Sequence, residues 1–172
     1  PPAGAPETLG PEMAGDVIQV GAGVTTFAPG DRVMGLLAGG GYAELAVVHA
    51  GHVIPIPQNF TYEEAAAIPE AFITAYSNLL LIGALRESER VLIHAGASGV
   101  GLAATQIAKL VGAQVFVTAS AGKHAICREA GADMTIDYNT ENFVARLRSE
   151  HPGVALVLDM VGGPCWDDNL RI

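Results

Sequence analysis

The residues best suited to chemistry lie between Val91 and Ala104. An apolar run, Val91-Leu92-Ile93-His94-Ala95, leads through Gly96-Ala97-Ser98 into Gly99-Val100-Gly101-Leu102-Ala103-Ala104. The last six residues fit Gly-x-Gly-x-x-Gly/Ala, the spacing at which a strand turns into a helix and receives a diphosphate. Gly99 is expected to permit the tight turn, Gly101 to let the backbone approach a diphosphate, and Ala104 to let helix and strand pack closely. The helix mouth then offers unpaired N–H groups and a partial positive charge. Alone the motif is weak. A buried strand before it and an apolar-faced helix after it give it weight.

The next test is the adenosine ribose. Sites for NAD usually carry Asp or Glu about 20 residues further on, at the end of the second strand. Here that stretch reads Val117-Thr118-Ala119-Ser120-Ala121-Gly122-Lys123-His124, with no acid. Ser120 offers a hydroxyl, and Lys123 can give a cation to a 2′-phosphate, which argues for NADPH over NADH. The plain alternative for Lys123 is a solvated helix lysine. Tyr138, after the third strand, either stacks on the adenosine side or is a half-buried strand-end tyrosine. Gly162 and Gly163, after Leu158-Asp159-Met160, either pass close to the cofactor or form an ordinary turn.

The elements that must position these residues form an α/β pattern. Strands are expected at 91–95, 114–119, 134–136 and 154–160. Helices are expected at 100–111 (stopping at Gly112), 123–130 (stopping at Gly131) and 141–150. Apolar strands alternating with helices imply a Rossmann-type, doubly wound parallel sheet, here its first four strands. Residues 1–57 read instead as β-structure with glycine turns. Strands are expected at Val17–Val20, Val33–Leu37, Tyr42–Val48 (with Ala43, Leu45 and Val47 on one face) and His52–Ile56. Thr61 and Glu64 predict a capping box, Pro69 an interruption, and Gly83 the stop of a helix over 72–82.

Of the 172 residues half are hydrophobic, with 21 glycines and a net charge of −9. That charge argues against nucleic acid and membrane surfaces as partners. The two cysteines, Cys127 and Cys165, are far apart, so a structural zinc knuckle is excluded on ligand count. A reducing, cytoplasmic compartment fits them. The apolar stretch Ala71–Leu85 is shorter than the roughly 20 residues of a membrane span, so it reads as a buried helix. The chain opens without Met and stops soon after a strand-like run, which reads as an internal fragment.

With these residues in view the chain resembles the zinc-independent quinone oxidoreductases of the medium-chain dehydrogenase/reductase superfamily. The resembling segments are Leu9–Gly15, Pro29–Val33, Gly41–Glu44, Ala65–Ala71 and His94–Gly101. The resemblance implies a partial GroES-like catalytic domain over 1–67 and a partial NADPH-binding Rossmann domain over 68–172. It implies hydride transfer from NADPH to a quinone, in a protein that forms a homodimer at full length. By the family pattern Ser98, Gly99, Val100 and Gly101 face the pyrophosphate. Lys123 and Tyr138 match the 2′-phosphate end, and Thr74 matches a threonine beside the nicotinamide.

Zinc-dependent relatives place a His just before the glutamate of the Gly10-Pro11-Glu12 segment; Pro11 has no side-chain donor, so no metal is expected. The five histidines show no ligand-like spacing and read as surface or packed residues. Without a Lewis acid, an already electrophilic acceptor such as a quinone is the fitting substrate. Two rivals stand beside this reading: a 2-enoyl thioester reductase on the same scaffold, and a truncated or structural form that binds without catalysis. The family's opening and closing segments are not in this sequence, and on that ground the fragment alone is expected to be poorly stable and little active.

Overall fold

A computed structural model describes residues 4–172; Pro1 to Ala3, which open the expected N-terminal domain, lie outside the described residues. The chain forms two compact units, Pro1–Ala71 and Phe72–Ile172.

In the first unit, strands β1 (Glu12–Asp16), β2 (Arg32–Leu36) and β3 (Val53–Pro55) pair antiparallel in the order β1-β2-β3. Glu12 lies opposite Leu36, and Asp16 opposite Arg32. The strand expected at Val17–Val20 therefore sits four to five residues too late. Val17 still exchanges hydrogen bonds with Gly30 and Asp31, but Ile18 is solvent-exposed. The register is set by which residues face Met34 and its neighbours, and local β-propensity does not see that partner. The strand expected at Tyr42–Val48 is absent. Tyr42, Leu45 and Val47 are 76, 69 and 100% exposed, and no strand of the described residues pairs with them. An alternating pattern without a neighbour has no ladder to join.

Helix α1 (Tyr62–Ala66) begins as expected: Thr61 accepts from the Glu64 amide, and the Glu64 carboxylate accepts from the Thr61 amide. Its Ala65 packs with Met34 and Ile56 in a small core. The Arg32 guanidinium lies 4.6 Å from the Tyr62 ring centre and donates to the Phe60 carbonyl, tying β2 to the approach of α1.

The helical run is interrupted as expected, ending at Ala66, and Pro69 opens a second helix, α2 (Pro69–Tyr76), earlier than the expected start at Phe72, at a position where a missing N–H costs nothing. The helix then widens into a π-turn over Ser77–Ile82. One stripe, Ala71, Ala75 and Leu79, is buried, while Leu81 and Ile82 are exposed, so the apolar stretch is buried on one side only. Gly83 ends it with right-handed backbone. A Cβ there would meet Leu156 at 2.7 Å and the Asn78 carbonyl oxygen at 2.8 Å, and the left-handed residue is Ala84. Glycine is needed at 83 for close packing rather than for handedness.

The second unit's sheet is wholly parallel: β4 (Arg90–Ile93), β5 (Gln114–Ala119), β6 (Met134–Asp137) and β7 (Leu156–Leu158), in the order β6-β5-β4-β7. Counting from β4, that is 3-2-1-4, the Rossmann order. Helix α3 (Gly99–Val111) stops at Gly112, whose φ of 85° closes the left-handed cap. Helix α4 (His124–Glu129) is followed by Gly131 at φ 113°, and α5 (Phe143–Glu150) is capped by Asn142. Leu92, Phe116, Ile136 and Leu147 form its core. A short α6 (Trp166–Asn169), not foreseen in the sequence, follows β7. This is the expected fold class, α/β with a partial Rossmann sheet in one unit and a partial GroES-like β unit in the other. Among the described residues no helix is long and apolar enough to cross a membrane.

Candidate functional site

The C-terminal ends of the four parallel strands border a cavity of about 550 Å³, the place where such sheets bind ligands. Four predicted residues meet there: Ser98 beyond β4, Ser120 and Lys123 beyond β5, and Tyr138 beyond β6. Gly99, Val100 and Gly101 form the adjoining first turn of α3 but are not in the lining. Gly162, in the turn after β7, and Thr74, half-buried on α2, are not in it either.

The α3 mouth is built by its own packing. Ser98 is the N-cap, and its Oγ accepts from the Gly101 amide at 3.0 Å. A Cβ on Gly101 would lie 2.5 Å from the Ala95 carbonyl oxygen and 2.7 Å from Gly96. The close approach that demands glycine at 101 is thus to the chain's own turn. The sharp turn itself belongs to Ala95, at φ 51°, and to Gly96, where a Cβ would lie 2.5 Å from the Val117 Cβ. Gly99 lies just after them and opens the helix with an exposed backbone.

Lys123 ends a short 3-10 turn, Ala121–Lys123, and is exposed. Among the described residues no carboxylate forms an ion pair with it. Asp137, at the end of β6, turns into its own loop. It accepts from the Asn139 amide at 3.1 Å, the Asn139 side chain at 3.0 Å and the Thr140 hydroxyl at 3.2 Å. The Asn139 amide, aided by those side chains, outweighs burial and holds this carboxyl below its usual range. It is not in the cavity lining, so no acid reaches the position beside Ser120 and Lys123.

Sequence reasoning gave no role to three groups in or next to the cavity. His94 is 1% exposed and lines its floor. Its Nδ1 meets the Thr118 hydroxyl at 2.9 Å, its Nε2 meets the Asn169 Oδ1 at 2.8 Å, and Phe143 packs edge-on at 4.9 Å. Asp159 accepts from the Val161 and Gly162 amides at 2.8 and 2.9 Å and from the Asn169 side-chain amide at 2.9 Å. Burial works against this carboxylate, but those donors outweigh it and its pKa is lowered. Cys165 also lines the cavity; burial, then Asp159 and Asp168, push its thiol up, so it is a poor nucleophile. The available signal was position: His94 directly follows β4, where strand ends present ligand-facing groups. Among the described residues no group of three or more His, Cys, Asp or Glu could hold a metal ion.

Residues 99–172 match the family described as zinc-binding dehydrogenase, and residues 1–58 the alcohol dehydrogenase GroES-like domain. Together these matches make the chain similar to the medium-chain dehydrogenase/reductase superfamily. The chain is 45% identical over 167 residues to the polyketide synthase GfsB of Streptomyces halstedii, covering 97% of this chain and 3% of that protein. Among solved structures it is similar to the CurK enoyl reductase (TM-score 0.90, 35% identity, covering 96% of this chain and 50% of that one). It is also similar to Escherichia coli quinone oxidoreductase complexed with NADPH (TM-score 0.86, 36% identity, covering 95% and 51%). The chain spans about half the length of these solved structures. The superfamily matches thus include both quinone and enoyl reductases.

Proposed function

We propose that this chain binds NADPH and serves a zinc-independent reductase that delivers hydride to a quinone. The observation that carries the cofactor reading is the placement of Ser120 and Lys123 in one cavity that no carboxylate reaches. A volume of about 550 Å³ falls in the range of small-molecule sites. NADPH supplies the hydride when bound. The residues' task is to hold and orient: Ser98 and the first-turn amides of Gly99, Val100 and Gly101 at the diphosphate, Ser120 and Lys123 at the 2′-phosphate. Ser98 already caps the Gly101 amide, so the amides of Gly99 and Val100 carry most of the backbone contribution. In this reading Tyr138 lies along the adenosine, Gly162 passes the cofactor, and Thr74 positions the nicotinamide.

Support for a metal-free reaction comes from Pro11, which stands where zinc-dependent relatives carry a histidine and offers no side-chain donor. A quinone needs hydride, position and a proton from solvent or a weak donor. Within the quinone reductases the quoted segments most resemble the p53-inducible branch. In this reading residues 1–67 serve catalysis and 68–172 the cofactor, in a cytoplasmic homodimer without nucleic-acid or membrane partners. A second reading, a 2-enoyl thioester reductase, is favoured by the likeness to the CurK enoyl reductase and to a polyketide synthase. The test is turnover by the protein that carries this chain, with NADPH, of an ortho-quinone against a crotonyl thioester. Faster quinone turnover supports the proposal. Thioester turnover alone replaces it with the second reading.

A further inference from the structure

His94 is a buried titratable group to which the proposed reaction gives no task. It joins β4, β5 and α6 through its two ring nitrogens. The proton positions follow from the chemistry of the partners. The Asp159 carboxylate can only accept, so the group Asn169 turns toward it is the amide NH₂. Asn169 therefore presents Oδ1 to the imidazole, and His94 Nε2–H donates to it. In the neutral ring Nδ1 then carries the lone pair, and the Thr118 hydroxyl donates to it. At the other end of the relay Asp159 also holds the amides of Val161 and Gly162, and Val161 lines the cavity. One chain of hydrogen bonds thus runs from the end of β5, beneath the cavity floor, to the turn after β7.

We propose that His94, fixed as its Nε2–H tautomer by Asn169 and Asp159, is a positioning residue that holds the turn 159–162 and α6 against the strand ends and so shapes the dinucleotide cleft. The proposal rests on the cofactor reading above. His94 acts through its neighbours and needs no contact with the cofactor. A buried network of this kind is sensitive to loss of one member, because the remaining polar groups are stranded.

The test combines a spectroscopic and a binding measurement. In protein labelled with ¹⁵N-histidine, at a pH where imidazole is neutral, the His94 signal (assigned by its loss in His94→Gln) is expected to show a protonated Nε2 and a bare Nδ1. An Nδ1–H tautomer, or an even mixture, overturns the relay; this arm uses the unsubstituted protein and needs no variant to fold. In Asn169→Leu, measured well below its melting temperature, which the stranded groups are expected to lower, the tautomers are expected to mix, and affinity for NADPH and NADH to fall by the same factor, about tenfold. Unchanged affinity beside intact binding in the parent overturns the positioning role. Failure of the parent to bind either dinucleotide overturns the cofactor reading and the positioning role together, while the tautomer still reports on the relay itself.

Discussion

Replacing Lys123 by Ala tests the cofactor reading most directly, because the two nicotinamide dinucleotides differ only at the 2′ position. A phosphate there carries about −1.5 to −2 charges at neutral pH, as other phosphate monoesters do. Lys123 is exposed, so its attraction is screened by water; a unit charge at about 4 Å gains roughly 1 kcal/mol in that environment. Against nearly two charges, less what salt screens, the contact comes to about 1.5 kcal/mol, the lower end for charge-assisted hydrogen bonds. Lys123→Ala is therefore expected to weaken NADPH binding about tenfold and leave NADH unchanged. Lys123→Arg should keep most of the affinity. The assay is calorimetric titration of both dinucleotides, at low salt and again near 0.5 M, where the difference should shrink. Equal losses for NADPH and NADH, or none for NADPH, would refute the assignment of Lys123 and with it the argument from the missing acid.

Three further outcomes follow from the geometry. Gly101→Ala places a methyl against the backbone of Ala95 and Gly96, which cannot move aside, so it should destabilise the fold by about 1–3 kcal/mol in urea unfolding. Asp133→Ala should cost more than Lys109→Ala. Their ion pair is part-exposed and contributes at most about 1 kcal/mol, whereas Asp133 also accepts from the Val115 amide at 2.7 Å; paired melting curves check this. Asp137 and Asp159 have lowered pKa values, so the folded state binds protons less readily than the unfolded chain. Their stabilisation is present above the ordinary Asp value of about 3.9 and is lost as pH falls below it. Asp159→Asn should flatten that acid limb of stability against pH, and an unchanged limb would contradict the assignment.

The parallel sheet was legible because its signals are local. Buried strands such as Gln114–Ala119 read as apolar runs, and Gly112 and Gly131 stop their helices with left-handed backbone. The antiparallel unit was legible only in part, since the strand sought at Val17–Val20 lies earlier, at Glu12–Asp16, and Tyr42–Val48 alternates but has no strand beside it among the described residues. Of the candidate site, Ser120, Lys123 and Tyr138 were found from their places after the strands and Ser98 from the family resemblance, and the four do converge. His94, Asn169 and Asp159 were not, because a relay across 75 residues leaves no periodic trace. The motif glycines were located correctly, but the crowding at Gly101 comes from the chain's own turn, which spacing alone does not reveal.

The widened turn at Ser77–Ile82 bears on how this segment can change length. A π-turn is in effect one surplus residue carried inside a helix without breaking it. Deleting a single residue there would remove the surplus and let the tighter pitch resume, with the turns on either side keeping their faces, whereas a deletion outside the widened turn would swing one side by about 100° against the other. Only that second kind of deletion would turn the stripe of Ala71, Ala75 and Leu79 out of the interior or move Gly83 from the place where only a hydrogen fits beside Leu156. The widened turn thus holds one residue of slack, and it is the place where this segment tolerates a change of length.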